Sequence, residues 1–261
     1  GSGATVRQAG MKHDAFVWAD TSALLVAGAQ GLPVKAVMVV TKSNLGIVSL
    51  EDHLVVRTAR DLINKKISAT PGDGNTQIWP AVLAANNMTA SDVNLVYLDA
   101  TAAVASLRTG RVDAAFCGVS DQPVTLRRAG FRARAVTFAE LGVPTLGSAV
   151  ITHVDMLREK PDLVRRVVAA TQRSWSAALA EPEAAVEALV QTAEFPLNAG
   201  LLLESLRVFQ GLATGASPVG FIDATAMQQT LDLLKRYGGV KTDFPASEFY
   251  SNDFIGRAIT R

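Results

Sequence analysis

The chain has 261 residues, 49% of them hydrophobic, which is enough for two lobes and a sizeable core. Its 25 Lys and Arg residues balance 24 Asp and Glu residues, so the charge gives no indication of a nucleic-acid or membrane-surface partner. The single cysteine, Cys117, excludes an internal disulfide and any metal site built from several cysteines.

The first part of the chain alternates short β-type runs with helical runs, a pattern typical of βα units and a mostly parallel sheet. Residues 15–20 predict a strand and residues 21–30 a helix, with Gly31 placed to end that helix. Residues 34–40 predict a second strand. Residues 41–56 are extended and weakly patterned, which indicates a segment that crosses between lobes rather than a helix.

A second series of units begins at residue 65 and gives way to helices alone from residue 161. The predicted strands are 65–70, 93–99, 112–118 and 133–139, separated by helices that end near residue 87, at Gly110 and near residue 130. Four helices then follow: 161–180, one opening at Pro182, 199–209, and one capped by Asp223 with an apolar stripe of Met227, Leu231 and Leu234.

Three strand-to-helix junctions carry short polar side chains and glycines. The residues concerned are Trp18, Asp20 and Thr21, then Gly72, Asp73, Gly74, Asn75 and Thr76, and finally Ser120, Asp121 and Gln122. Ligands bind beyond the carboxyl ends of parallel strands, where helix N-termini present unpaired amides, so we expect these residues to contact a ligand. Asp20, Asn75 and Asp121 are also good N-cap types, and capping alone remains an alternative for each.

No combination of residues assembles a nucleophile, a base and an orienting group. The sequence lacks the metal-binding H-E-x-x-H and C-x-x-C patterns and the G-x-S-x-G elbow of hydrolases. His13, His53 and His153 are isolated from one another, and Cys117 ends an apolar strand. We therefore expect a binding protein with no catalytic residue, no metal site and no cofactor.

Five phrases of the sequence, in this order, resemble one family. They are GSGATVRQAGMKHDAFVWAD from residue 1, ARDLINKKISATPGDGN from residue 59, ASLRTGRVDAAFCG from residue 105, LREKPDLVRRVVAAT from residue 157 and FYSNDFI from residue 249. The chain thus resembles the solute-binding proteins of ABC importers, in the group for nitrate, sulfonates, taurine and thiamine-pyrimidine precursors. The family's first strand–helix unit does not precede the phrase at residue 1, so we expect its solute contacts to be missing.

The resemblance implies an α/β fold of the type II periplasmic-binding kind, with mostly parallel sheets, helices on both faces and hinge crossings. Residues 1–50 and 145–261 would form lobe I, residues 51–144 lobe II, and the hinges would lie near 45–56 and 137–148. Ser2, in the family's glycine-serine loop, would contact the solute. The expected partners are a small solute and a membrane permease, with no nucleic acid. A monomer located in the periplasm, or lipid-anchored outside the cytoplasm, is expected.

The class of solute remains open between anions and amine-bearing or neutral aromatics. Helix N-termini favour a sulfonate, a carboxylate or nitrate, whereas carboxylates at Asp20, Asp73 and Asp121 would oppose an anion unless capping occupies them. Arg57 and Arg60 could restore anion binding if they turn inward. Two alternatives on the same architecture are an enzyme similar to thiamine-pyrimidine synthase and a LysR-type effector domain. The single Cys argues against the enzyme, and the absence of a visible helix-turn-helix argues against the effector domain.

Overall fold

The computed structural model describes residues 1–256, which form two β-sheets with helices packed against both. The strands are β1 (Val17–Asp20), β2 (Val34–Val39), β3 (Leu45–Leu50), β4 (Lys66–Ala69), β5 (Asn94–Tyr97), β6 (Ala114–Gly118), β7 (Ala133–Thr137) and β8 (Ser148–His153). The helices are α1 (Ser2–Gly10), α2 (Thr21–Ala29), α3 (Gly74–Ala85), α4 (Ala100–Arg108), α5 (Gln122–Arg128), α6 (Val154–Glu159), α7 (Pro161–Ala180), α8 (Pro182–Thr192), α9 (Ala199–Leu212) and α10 (Ala224–Tyr237).

The first sheet has three strands, in the order β1-β8-β2. The central strand β8 pairs antiparallel with both neighbours, with Val17 opposite Ile151 and Val34 opposite His153. We did not expect β8 from the sequence, because residues 137–148 were assigned to a hinge and the strand begins where that range ends.

The second sheet has five strands, in the order β5-β4-β6-β3-β7. Strand β4 runs parallel to β5 and β6, whereas β3 runs antiparallel to β6 and β7. Parallel neighbours need a helical crossover, and α3 and α4 supply the two that link β4, β5 and β6. The first sheet is therefore antiparallel and the second mixed, rather than mostly parallel as expected, and the α/β class is confirmed.

Two segments, residues 40–44 and 138–147, carry the chain between the sheets side by side. The amide of Ser43 donates to the carbonyl of Thr145 (3.0 Å), and the amide of Gly147 donates to the carbonyl of Thr41 (3.0 Å). Gly147 is required here, because a Cβ would lie 2.6 Å from the carbonyl oxygen of Lys42.

The crossing lies earlier in the chain than the predicted hinge at 45–56, because β3 is already a paired strand of the second sheet. The division into lobes at residues 50 and 145 otherwise stays a prediction. The last residues of the predicted lobe I, 257–261, lie outside the described part of the chain.

One apolar cluster joins the two sheets on a single side of the molecule. Helix α3, from the second sheet, packs against α2 and α10, and the buried stripe Met227, Leu231 and Leu234 of α10 lies in this cluster as expected. At its centre Trp79 and Phe138 approach Phe116 with ring centroids 5.1 and 5.8 Å away. These three buried rings belong to α3, β6 and the residue that follows β7, so they form the part of the cluster that packs α3 on the second sheet.

A second cluster lies on the opposite face of the five-stranded sheet, under α4 and α5. It contains Val48, Leu107 and Cys117, which become part of the cavity described below. Within residues 1–256 no helix is long and apolar enough to cross a membrane.

Replacing Phe138 with Ala should lower the free energy of unfolding by about 3–5 kcal/mol, because it leaves a cavity between Trp79 and Phe116. Urea denaturation followed by tryptophan fluorescence measures this loss. Phe244→Ala is the matched control, since Phe244 is 59% exposed. Equal losses in the two variants would show that the aromatic cluster does not contribute to the stability of the core.

Candidate functional site

A cavity of about 230 Å³ lies at the carboxyl ends of β4 and β6. Its polar part is lined by Ser2, Asn44, Thr70, Asp73, Gly74, Asn75, Asp121 and Gln122. Its apolar part, contributed by β3, β6 and α4, includes Val48, Ala103, Leu107, Ala115 and Cys117. The buried hydroxyl of Ser68 also faces the cavity and has no hydrogen-bond partner among the described residues. Hydrogen-bonding groups above an apolar wall are the usual design of a small-molecule site.

The first predicted junction supports the cavity from behind and does not line it. Thr21 donates its hydroxyl to the carbonyls of Leu146 (2.9 Å) and Gly147 (2.6 Å), which fixes the second crossing. Trp18 is 43% exposed and stacks on Trp175, with ring centroids 5.9 Å apart. Trp18, Asp20 and Thr21 were expected to face the ligand directly, but they are not among the residues that line this cavity.

Asp20 is a buried N-cap with one uncommitted carboxylate oxygen. Its Oδ1 accepts hydrogen bonds from the amide (2.9 Å) and the hydroxyl of Ser22, while its Oδ2 is buried without a partner in the described structure. Burial raises the pKa of Asp20, the nearby Asp73 raises it further, and the hydrogen bonds from Ser22 oppose both effects. Its own amide donates to the hydroxyl of Ser2 (3.2 Å), so Asp20 also fixes the start of α1.

The glycine loop is ordered by its own side chains. Asp73, and not Asn75, caps α3 by accepting from the amide of Thr76 (2.8 Å). The hydroxyl of Thr76 donates to the carbonyl of Thr70 (2.7 Å), and Asn75 accepts from the amide of Gly46 in β3 (3.1 Å). Thr76 therefore serves the loop, while Asp73 and Asn75 both hold the loop and line the cavity.

The two glycines of this loop are needed for different reasons. Gly72 has a φ of +73°, and no atom lies near the position of its missing Cβ. Gly74 has an ordinary φ, but a Cβ would lie 3.2 Å from both Cγ of Asp20 and Cδ1 of Leu45. Gly72 therefore allows the turn, whereas Gly74 allows the loop to approach Asp20 of the first sheet.

The third junction contains the least committed carboxylate of the cavity. Asp121 precedes α5, yet its side chain makes no capping hydrogen bond, so the capping alternative is wrong for this residue. Its carboxylate lies close to the position that a Cβ of Gly118 would take. Although Asp121 as a whole is solvent-exposed, partial loss of hydration raises the pKa of its carboxyl group, and a hydrogen bond from Ser120 opposes this.

The neighbours of Asp121 divide between the cavity and its support. Gln122 lines the cavity and accepts from the amide of Gly118 (3.0 Å). Ser120 is fully buried and accepts from the side-chain amide of Asn44 (3.2 Å). Ser120 therefore positions Asn44 and does not itself reach the cavity.

Asn44 is a cavity residue that the sequence analysis missed. It lies directly before β3, whereas the sequence pattern predicts ligand contacts at the carboxyl ends of strands. Because β3 runs antiparallel to β6, its amino end meets the carboxyl end of β6 at one edge of the sheet, with Leu45 opposite Gly118. The polar run of residues 41–44 just before an apolar strand was the signal that could have revealed it.

The cavity carries negative charge without a balancing side chain. Asp73 and Asp121 line it, and in residues 1–256 no Lys, Arg or His side chain does so. Arg57 and Arg60 are exposed, lie before the amino end of β4 and do not line the cavity, so the condition under which they could restore anion binding is not met here. The helix N-termini of α3 and α5 supply the positive potential that remains.

The groups that could serve catalysis are arranged for other purposes. Burial raises the pKa of the Cys117 thiol well above its usual range, so the sulfur stays protonated. His153 accepts from the amide of Asp155 (3.0 Å) and caps α6, and His13 lies within hydrogen-bond distance of Gln8 (2.9 Å). Among the residues described, no three His, Cys, Asp or Glu side chains are grouped to hold a metal ion.

Residues 2–185 match the NMT1/THI5 like family. The chain belongs to this family. Among solved structures it is similar to the alkanesulfonate-binding protein SsuA from Xanthomonas axonopodis pv. citri, with a TM-score of 0.75, 19% identity and coverage of 96% of this chain and 84% of that one. It is also similar to the periplasmic aliphatic sulphonate binding protein SsuA from Escherichia coli, with a TM-score of 0.73, 16% identity and coverage of 95% and 79%.

Among curated proteins, the riboflavin-binding protein RibY of Chloroflexus aurantiacus is 23% identical over 249 residues, which are 92% of this chain and 70% of that protein. The resemblance seen in the five sequence phrases is thus confirmed, and so is the periplasmic-binding fold.

Replacing Asp20 with Asn should raise the melting temperature at about pH 8 and have less effect near pH 4. A raised pKa means that the folded state holds the proton more tightly than the unfolded state, so wild-type stability falls as pH rises above the unfolded value. Asn removes the buried charge and keeps an acceptor for the cap. Thermal unfolding across this pH range measures the difference.

The matched control for this experiment is Asp223→Asn, the same change at the exposed N-cap of α10. Its effect on the melting temperature should be smaller at about pH 8. A pH-independent difference for Asp20→Asn would contradict the assignment of a desolvated carboxylate.

Gly74→Val should weaken ligand binding and enlarge the radius of gyration, because the new side chain pushes the loop away from Asp20 and Leu45. Gly72→Val should instead cost about 1–3 kcal/mol of stability through its positive φ, with the radius of gyration unchanged. Small-angle X-ray scattering and thermal unfolding separate the two effects. Identical behaviour of the variants would show that Gly74 has no role in the approach of the sheets.

Proposed function

We propose that the chain is the solute-binding component of an ABC importer, acting outside the cytoplasm. It captures a small solute between its two sheets and presents the bound form to a membrane permease. The main support for this proposal is the cavity. It is lined by Ser2 from the first part of the chain and by Asp73, Asn75 and Asp121 from the second. The similar SsuA proteins, which bind sulfonates, and the similar RibY, which binds riboflavin, support this role. The chain acts as a monomer and needs no nucleic acid.

The two crossings at residues 40–44 and 138–147 serve as the hinge of this receptor. The first is short and extended, the second contains a turn at residues 138–142, and hydrogen bonds join the two, so that a change in a few backbone dihedrals rotates one sheet relative to the other. The solute favours the closed form to the extent that it contacts both parts at once. Ser2 and the glycine loop provide such contacts on opposite sides.

The proposed solute is a neutral or amine-bearing nitrogen heterocycle, and not a sulfonate or nitrate. Asp73 and Asp121 face the cavity, and the described lining residues include no cationic side chain to balance a bound anion. Binding an anion beside two carboxylates is unfavourable, because the anion loses its hydration and is repelled by their negative charges. Amides and hydroxyls of Asn44, Thr70 and Gln122 match ring nitrogens and carbonyls instead. The riboflavin named for the RibY relative belongs to this class, as do aminopyrimidines.

Among the residues expected from the sequence, Ser2, Asp73, Gly74, Asn75, Asp121 and Gln122 are proposed to contact the solute. Thr21, Thr76 and Ser120 hold the crossing, the loop and Asn44 in place, and Gly72 provides the turn. Binding is favoured over the synthase-like alternative, because the cysteine in the cavity wall stays protonated and no described histidine lines the cavity.

A thermal-shift panel on the chain tests this proposal. It contains riboflavin, a 4-aminopyrimidine, taurine, MOPS and nitrate. A true solute at about a hundred times its dissociation constant adds roughly 2.7 kcal/mol of stability, which corresponds to a rise of roughly 5–10 °C. We expect riboflavin or the aminopyrimidine to stabilise the chain and the three anionic or zwitterionic compounds to leave it unchanged.

The double variant Asp73→Asn with Asp121→Asn provides the control for charge. It should lose the stabilisation by an amine-bearing solute and should not by itself gain taurine binding. Stabilisation by MOPS or taurine alone would overturn the charge argument while keeping the receptor role. The absence of a shift with every compound would count against the receptor role itself.

A further inference from the structure

A second concavity, of about 490 Å³, lies between α5, α7, α8 and α9. We call it the helical groove and define it by Trp175, Ala185, Leu189, Leu202, Ser205 and Phe209, which line it. Trp175 and Phe209 meet edge to face with centroids 6.1 Å apart, and Trp175 is also the stacking partner of Trp18. The groove thus presents aromatic and aliphatic surface on three helices.

The apolar face of α9 lacks the packing that such a face normally has. The helix contains Leu201, Leu202, Leu206 and Phe209, yet none of its residues is fully buried. Its neighbour α8 buries only Val186, and Leu189 remains 48% exposed. Burying a Leu or Phe side chain stabilises a protein by roughly 1.5–3 kcal/mol. Helices this apolar with so little burial indicate that an apolar occupant belongs in the groove.

The helical groove borders the polar cavity at one shared lining residue. Asp121 lines both, and Thr125 of α5 extends the groove from the same helix. The carboxylate of Asp121 makes no capping bond, so it is available to a ligand that passes between the two spaces. Among the described residues, those lining the groove include no Lys, Arg or His. The shared residue joins the groove to the solute site, and its acidic edge matches a donor group on the occupant.

We propose that the cavity and the helical groove form one two-part site. The polar, donor-bearing part of the solute occupies the cavity, and a flat aromatic part lies in the groove against Trp175 and Phe209. Asp121 accepts a hydrogen bond from the junction of the two parts. This inference rests on the proposed function and narrows its solute to an elongated, amphiphilic molecule. A volume of about 490 Å³ accommodates a fused ring system, since drug-sized ligands occupy roughly 300–1,000 Å³.

The test fills the groove by mutation and compares two positions of α8, one that lines the groove and one that is exposed and does not line it. Ala185→Trp places an indole in the groove, whereas Ala188→Trp places the same side chain on the exposed face of the same helix. N-phenyl-1-naphthylamine, whose fluorescence rises in an apolar site, reports on the groove whatever the natural solute is. Riboflavin, titrated by calorimetry, reports on the whole site. Ser205→Trp fills the groove from α9 and replaces Ala185→Trp if that variant fails to fold.

The expected result is saturable binding of N-phenyl-1-naphthylamine, with a dissociation constant at least tenfold higher in Ala185→Trp and within twofold of wild type in Ala188→Trp. Riboflavin should compete with the probe and should lose at least tenfold in affinity in Ala185→Trp and in Asp121→Asn. Equal probe binding in the two Trp variants would overturn the groove as a site. Riboflavin binding that neither displaces the probe nor changes in Ala185→Trp would overturn the two-part site.

The outcome also separates this inference from the proposed function. If no compound of the thermal-shift panel binds, while the probe binds and Ala185→Trp abolishes its binding, the groove is supported as an apolar ligand site. That combination counts against the receptor role alone. If a panel compound binds and the probe does not, the receptor role is supported and the helical groove is overturned.

Discussion

The hydrogen-bonded pair of crossing segments is the constraint on which the site depends. The amide of Ser43 and the carbonyl of Thr145 join the segments, and the hydroxyl of Thr21 reaches the carbonyls of Leu146 and Gly147 from α2. These bonds fix the point at which β3 enters the second sheet. Because β3 enters antiparallel, its first residues meet the carboxyl end of β6, and Asn44 comes to lie beside the loops that precede α3 and α5. Buried backbone groups that are paired in this way hold their positions, since leaving one unpaired costs about 1–3 kcal/mol.

The electrostatic character of the cavity follows from how its carboxylates are used. A carboxylate oxygen of Asp73 accepts a hydrogen bond from the amide of Thr76 and caps α3, and one of Asp20 accepts from the amide of Ser22 and caps α2. The carboxylate of Asp121 makes no capping bond to α5. Helix N-termini would favour an anion, but here Asp73 already caps α3, and the carboxylate of Asp121, which caps no helix, stands beside the start of α5. A solute with donors completes this arrangement, whereas a second anion would compete with it.

Local patterns in the sequence predicted the elements well, and long-range pairing was the part that they could not supply. The βα alternation located β4, α3, β5, α4, β6, α5 and β7, and Asp223 caps α10 as expected. The pattern could not show that β3 enters between β6 and β7, because register and direction depend on partners about 70 to 90 residues away. The same limit explains the cap at Asp73 in place of Asn75, since Asn75 instead bonds to Gly46 in a distant strand. In the helical region the pattern assigns apolar residues to the core, which is correct for the buried Met227. The same assignment fails for Trp175 and Leu202, which line the helical groove.

The cavity and the helical groove are bordered by two contacts of different composition. Helix α3 packs against α2 and α10 within one large cluster of buried apolar residues. Helix α9 contacts α5 through Arg127 and Arg128, which pair with Glu204 at 3.4 and 3.9 Å, and its partly buried Val208 and Leu212 pack against the cluster that contains Leu126 of α5. Exposed ion pairs contribute only about 0–1 kcal/mol, so the apolar contacts supply most of the stabilisation between α5 and α9. In the two-part site that we propose, a solute that bridges these helices adds apolar burial at this partly buried contact, and that addition favours the closed form.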